Sequence, residues 1–252
     1  MLIAERHEKI VHTVSEKGSV RVTELSKLFG ITAETIRRDL EKLERSGKLI
    51  RSHGGAVSVQ EKQIDTPFFE RETEQVSEKK KIAEIALEFI KEDESILLDA
   101  SSTSWFLAKE LPNMPLTVIT NSMRIVMELA VKNHINVICT GGNLRQSSLS
   151  FVGPLTSQSL SNYHTDRAFI SCKALDLGWG ISDSNDVEAM VKRKMLQVAE
   201  VNYMLIDHSK IGKKATAYVA NPKELDYLIT DKYTDQTVLN DLSGYGMEVI
   251  TV

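Results

Sequence analysis

Between residues 95 and 142 one pattern recurs: a short apolar run, a small polar loop, then an amphipathic stretch. Ser95-Ile96-Leu97-Leu98-Asp99 leads through Ala100-Ser101-Ser102-Thr103 into residues 104–111, and Leu116-Thr117-Val118-Ile119-Thr120 leads through Asn121-Ser122 into residues 123–131. Ile135-Asn136-Val137-Ile138-Cys139 then ends in Thr140-Gly141-Gly142. Short apolar runs suit strands covered on both faces, and an intervening helix is the crossover that parallel neighbours need. The pattern therefore predicts an α/β domain on a mostly parallel sheet. Strands at 167–171, 204–207, 226–230 and 247–252 and helices at 80–90, 186–198 and 234–242 continue it.

In such a sheet, ligands bind beyond the carboxyl ends of the strands. The residues expected there are Asp99, Ser101, Ser102, Thr103, Thr120, Asn121, Ser122, Gly141, Gly142, Asp207 and Lys210. Ser101 to Thr103 open a helix, so hydroxyls and free N–H groups converge on an anion site that suits a phosphate. Lys210 adds positive charge, and Asp99 and Asn121 are suited to sugar hydroxyls. Capping and turning explain each loop about as well taken singly; four loops on one edge favour a pocket. Residues 183–186, with Glu188 and Lys192 on the next helix, either close over the ligand or form a solvated helix start.

The first 57 residues read differently. Thr32 caps a helix in which Ile36, Leu40 and Leu43 form one apolar face, while Glu34, Thr35, Arg37, Arg38 and Lys42 point outward; Ser46-Gly47 ends it. A shorter helix at 24–29 precedes it, capped by Thr23, with Leu25, Leu28 and Phe29 inward and Gly30 in the turn: a helix-turn-helix. The first helix, 2–16, has Ile3, Ile10, Val11 and Val14 as its stripe. Residues 48–57 read as two strands about a tight turn, a wing whose Arg51, Ser52 and His53 reach phosphate or the minor groove. An arginine on the longer helix suits a guanine edge, and a threonine suits a base edge or a phosphate. The DNA-contact set is Thr32, Thr35, Arg37, Arg38, Arg51, Ser52 and His53; Asp39 is left out, as a residue that orients an arginine or bonds within the domain. Net charge is −4, split as +3 over residues 1–59 and −7 beyond, the balance expected if only the head meets DNA.

The expected layout is a winged helix-turn-helix at 1–57, a linker at 58–75 whose Phe68-Phe69 pair docks on one domain or the other, and a sensing domain at 76–252. Cys139 and Cys172 lie in apolar stretches and read as reduced core thiols of a cytoplasmic protein. No apolar run is long enough for a membrane span, the N-terminus becomes charged too early for a secretory signal, and no Cys/His spacing suits a metal, so no cofactor is expected.

Thr35-Ile36-Arg37-Arg38-Asp39-Leu40, Leu43, Gly47 and Arg51-Ser52-His53-Gly54-Gly55-Ala56 resemble the DNA-binding domain of DeoR-type bacterial transcription regulators. Asp99 to Thr103, Thr120-Asn121-Ser122, Gly141-Gly142, Asp166 to Phe169 and Asp207-His208-Ser209-Lys210 resemble that family's sensor domain, so the likeness covers the whole chain. It implies a sensor similar in fold to ribose-5-phosphate isomerase, a phosphorylated sugar as effector, a homo-oligomer (dimer or tetramer) on double-stranded operator DNA, and a repressor of a carbohydrate-catabolism operon. One segment departs: Ser171-Cys172-Lys173-Ala174-Leu175-Asp176 stands where many members carry a glycine-rich turn, and Lys173 there either meets the ligand or is simply exposed. The rival reading is a sugar-phosphate isomerase or hydrolase using Asp99, Asp183 or Asp207 as base, though no catalytic constellation is visible in the spacing.

Overall fold

A computed structural model describes residues 3–17, 19–46, 48–52, 54–58 and 66–252. The chain divides into two compact units, Met1–Asp65 and Thr66–Val252.

The first unit holds helices α1 (Ile3–Lys17), α2 (Val22–Phe29) and α3 (Ala33–Arg45) and strands β1 (Ser19–Arg21), β2 (Leu49–Ser52) and β3 (Gly55–Ser58). The wing is antiparallel, with Leu49 opposite Ser58 and Ser52 opposite Gly55, and β1 pairs with the far edge of β3. A Cβ on Gly55 would fall 2.2 Å from the Val20 carbonyl, so β1 can lie this close only to glycine. Ile10, Val14, Leu25, Ile36, Leu40, Leu43 and Leu49 form the core. Three expectations need correction. Helix α2 starts at Val22, because Val22 is drawn into the core and the Glu24 carboxylate accepts the Arg21 N–H; Thr23 lies inside the helix and caps nothing. Leu28 is 61% exposed and Phe29 only half-buried, since the short α2 buries its Val22–Leu25 side. Ile3, at the start of α1, is also exposed.

The second unit is built on a seven-stranded, fully parallel sheet. In chain order its elements are α4 (Phe68–Arg71), α5 (Val76–Leu87), β4 (Ser95–Leu98), α6 (Ser102–Glu110), β5 (Leu116–Thr120), α7 (Met123–Leu129), β6 (Ile135–Cys139), β7 (Asn143–Arg145), β8 (Ser150–Val152), α8 (Pro154–Leu160) and β9 (Thr165–Ile170). There follow β10 (Ala174–Asp176), β11 (Gly180–Asp183), α9 (Asp186–Val198), β12 (Ala199–Leu205), β13 (Ala217–Ala220), β14 (Tyr227–Thr230), α10 (Gln236–Ser243) and β15 (Glu248–Thr251). The strand order is β15-β14-β12-β9-β4-β5-β6. Alternate residues serve opposite faces: Ile96, Leu98, Phe169, Tyr203 and Ile229 pack with α5 and α6, whereas Leu97, Ala168, Ile170, Met204 and Leu228 pack with α9.

Several details differ from the sequence reading. The hairpin β7–β8 and the antiparallel sheet β10-β11-β13 were not expected; strands of three or four residues carry too little alternation to register. Strand β12 ends at Leu205, leaving Asp207 beyond it as the cap of a short 3-10 turn, His208–Lys210. Residues 66–75, expected within a linker, carry α4 and bury Phe68 edge-on against Trp105, while Phe69 stays 57% exposed. Cys139 is exposed, because β6 is an edge strand; Cys172 is buried as expected. Among the described residues no helix is long and apolar enough to cross a membrane.

Candidate nucleic-acid interface and candidate effector site

In the first unit, α3 turns Ile36, Leu40 and Leu43 into the core, which forces the side chains of Arg37 and Arg38 outward. They stay 58% and 75% exposed, with Glu34 at 3.4 and 3.7 Å, contacts loose enough to exchange for a phosphate. Thr32 caps the helix by accepting the Thr35 N–H at 3.3 Å, and the two hydroxyls lie 2.9 Å apart, so Thr32 has structural work whatever else it meets. Arg51 is exposed on β2, and its N–H donates to Glu44 on α3 at 2.9 Å, which ties wing to helix. Ser52 ends β2 opposite Gly55, and His53 lies outside the described residues. Asp39 faces inward and accepts Arg6 Nε at 2.7 Å, with His7 Nε2 at 2.9 Å. Burial works against its charge, but the hydrogen bonds from Arg6 and His7 hold the carboxyl below its usual range. Asp39 therefore locks α3 to α1 and sets the angle at which the arginines are presented.

In the second unit the carboxyl ends of β4, β9 and β12 meet at Ser171. Its N–H donates to Asp99 Oδ2 at 3.2 Å, its carbonyl accepts Lys192 Nζ at 2.7 Å, and its hydroxyl accepts Lys210 Nζ at 2.9 Å. Asp99 also accepts the Ser104 hydroxyl at 2.6 Å and the Ser101 N–H at 3.3 Å, and Lys192 lies 3.2 Å away. Lys192 reaches Asp183 at 2.6 Å as well. Asp207 accepts the N–H and hydroxyl of Ser209, and Lys210 lies 3.9 Å off. Glu188, one turn before Lys192 on α9, accepts the hydroxyls of Ser148 and Ser150 at 2.7 and 2.6 Å.

The expected rim residues thus fall into groups. Asp99, Asp207 and Lys210 join one charged cluster. Ser101 caps α6, Ser122 caps α7, and Thr120 donates to the Leu98 carbonyl, so these hydroxyls are spent on the fold. Ser102 is buried in the first turn of α6. Thr103 Oγ1 and Asn121 Oδ1 are buried without a hydrogen-bond partner, so each keeps capacity for one. Gly141 and Gly142 serve packing: the Gly141 carbonyl accepts Thr156 Oγ1 at 2.7 Å, and a Cβ on Gly142 would meet that oxygen at 2.2 Å. Lys173 is exposed and donates to Thr66 Oγ1 at 3.1 Å.

Burial opposes the charge on Lys192, yet Asp183 and Asp99 outweigh it and raise its pKa. Asp183 is lowered in turn, Lys192 overcoming burial, while burial raises Glu188. Burial lowers Lys210 despite Asp207. Neither Asp99 nor Asp183 stands free as a base: Lys192 lies within ion-pair distance of both. The sequence reading missed Ser171 and left Lys192 undecided. The signal for the lysine was present as charge on an apolar stripe: Lys192 sits among Ala189, Val191, Met195 and Leu196 on the buried side of α9.

Comparison with known proteins places both units. Residues 6–62 match the family profile described as a DeoR-like helix-turn-helix domain, and residues 74–232 the one described as the DeoR C terminal sensor domain. The chain is 47% identical over its full length to the "Uncharacterized HTH-type transcriptional regulator YulB" of Bacillus subtilis, covering 98% of that protein. It is 38% identical to the "L-fucose operon activator" of Haemophilus influenzae over 90% of this chain and 91% of that one. It is 33% identical to the "Putative aga operon transcriptional repressor" of Escherichia coli O157:H7, over 99% and 94%. Among solved structures, ribose 5-phosphate isomerase A of Methanocaldococcus jannaschii aligns over 53% of each chain with 18% identity and a TM-score of 0.39.

Proposed function

The chain belongs to the DeoR family of transcriptional regulators, and from that premise we propose that it represses a carbohydrate-catabolism operon and is released from DNA by a phosphorylated sugar held at the rim of the parallel sheet. It is a regulator and not an enzyme. Helix α3 enters the major groove, with Arg37, Arg38 and Thr35 toward base edges and phosphates, and the wing follows the backbone with Arg51, Ser52 and His53. Two copies engage two half-sites, which makes the working species a homo-oligomer. The observation that carries the reading is the exposure of Arg37 and Arg38 on a helix whose opposite face is fixed in the core. The name of the Haemophilus influenzae relative, which concerns an L-fucose operon, supports carbohydrate control. The sugar phosphate acts only insofar as it favours one arrangement of the protein over another.

The test is a gel shift on DNA upstream of the chain's own gene and its neighbours at low salt, with and without pentose and hexose monophosphates. A shift that one sugar phosphate abolishes is the expected result. The absence of any shift overturns the DNA reading, and a shift indifferent to every sugar phosphate overturns the effector reading. A thermal-shift screen of the same compounds finds the ligand independently, because binding raises the melting temperature.

A further inference from the structure

Helix α7 and the turn after it carry three stripes, each with its members four residues apart. Ile125 and Leu129 are buried in the core on this face of the sheet. Arg124, Glu128 and Lys132 turn to one side and are all engaged within the unit. Arg124 pairs with Glu72 at 3.0 Å, and Glu128 accepts the Trp105 Nε1–H at 3.2 Å. Lys132 Nζ donates to the carbonyls of Ala108, Lys109 and Leu111 at 2.9, 3.0 and 2.6 Å. The third stripe, Met123, Met127 and Val131, faces solvent at 38, 60 and 78% exposure, with half-buried Val126 and exposed Ala130 between its members. Phe69, also exposed, borders it through Arg124, whose guanidinium lies 5.7 Å from the ring. We infer that this stripe is the centre of a self-association face: two copies of the chain pack α7 against α7, antiparallel across a two-fold axis near Met127. The inference rests on the two-copy reading of operator binding and names the contact which that reading needs.

A surface helix ordinarily turns its charges outward, and α5 does so with Glu78, Lys80, Lys81, Glu84 and Glu88. Helix α7 spends its charges on contacts within the unit and leaves methionine and valine in water, the pattern of a helix covered on two sides. Charge identifies the cover. Residues 60–252 carry a net −7, so two copies repel through most of their surface. They meet without that repulsion where neither presents an ionisable group, and the stripe from Met123 to Val131 is such a place. A face without charge is also its own complement, which is what a two-fold contact between identical patches demands. Arg124 and Glu128 beside it, with Asn133 and His134 at its end, supply a polar rim around the apolar centre. A stable interface takes about 20–30 residues a side, so the stripe is the middle of a larger contact.

Sedimentation equilibrium of the full-length protein over a range of concentrations tests this. Met127→Glu sets two like charges against each other across the axis and should weaken self-association at least ~100-fold, lowering the mass. Circular dichroism should show its fold intact, because Met127 is already 60% exposed in a single copy. Mixing Met127→Glu with Met127→Lys should recover the wild-type mass, since opposite charges then face each other. A Met127→Glu protein that keeps the wild-type mass, or a mixture that does not recover it, overturns the inference. So does a wild type that stays monomeric, which gives the stripe to an occupant other than a second copy. Should Met127→Glu fail to fold, Val131→Glu, at a still more exposed position, takes its place. Gel shifts separate this result from the reading it rests on. An assembly that Met127→Glu breaks but that shifts no operator leaves the inference standing and overturns the DNA reading; a monomer that shifts operator DNA does the reverse.

Discussion

Arg38 on α3 and Lys192 on α9 are both cations beside carboxylates, yet they are set in opposite ways. Arg38 keeps 75% of its side chain in solvent and lies 3.7 Å from Glu34; Lys192 keeps 11% and lies 2.6 Å from Asp183. An exposed pair contributes little, so Arg38 can leave Glu34 for a phosphate at almost no cost. A buried pair cannot be opened without stranding a charge away from water. The outer face of α3 is thus built for exchange, and the buried pair on α9 for permanence.

The largest effect should come from Lys192→Met, which strands Asp99 and Asp183 and should cost about 3–5 kcal/mol of unfolding free energy in the second unit; loss of under ~1 kcal/mol in denaturant titrations would show the rim to be wetter and softer than this contrast requires. Next, Arg38→Ala should weaken operator binding at least ~10-fold in gel shifts, a little over 1 kcal/mol, while leaving stability within ~0.5 kcal/mol. Equal loss of both would erase the difference between the two regions. Asp39→Asn sharpens it from within the first unit. Because the folded Asp39 carboxyl titrates below its unfolded value, its stabilisation is present above about pH 4 and is lost as pH falls through the folded value. Melting temperatures of wild type and Asp39→Asn should therefore differ at pH 7 and converge in acid. The smallest effect belongs to Arg45→Ala: its 2.6 Å contact with Glu41 is shorter than that of Arg38 with Glu34, yet both side chains are exposed, so thermal unfolding should move by no more than ~0.5 kcal/mol.

Much of the architecture was legible because it rests on periodicity. Ile36, Leu40 and Leu43 give α3 away at helical spacing, and the short, largely apolar runs at 96–98 and 116–119 mark inner strands of the sheet, while the run at 135–138, broken by Asn136, marks the half-covered edge strand β6. Long-range pairing has no such mark. Nothing local in Ala174-Leu175-Asp176 says that it will pair with Gly180–Asp183, nor that Ser171 will gather three strand ends. Hydroxyls at the carboxyl ends of the strands look alike in sequence whether they cap a helix, as Ser101 and Ser122 do, or stay unpartnered, as Thr103 does. Lys192 is ambiguous in the same way: closing over a ligand and lying at a solvated helix start fit its sequence equally well, until the packing of α9 turns it inward.

The chain has two cysteines, and their surroundings give them very different chemistry. Cys139 faces solvent at the end of an edge strand; Cys172 is enclosed beside Ser171, its thiol pushed up to about 12 by burial, against the pull of Lys210 and Lys192. A maleimide dye near neutral pH should therefore take Cys139 promptly and reach Cys172 only when the enclosing side chains swing apart. Once Cys139 is blocked, the slow uptake of label becomes a stopwatch for opening of the sheet's rim, built into the natural protein and needing no substitution.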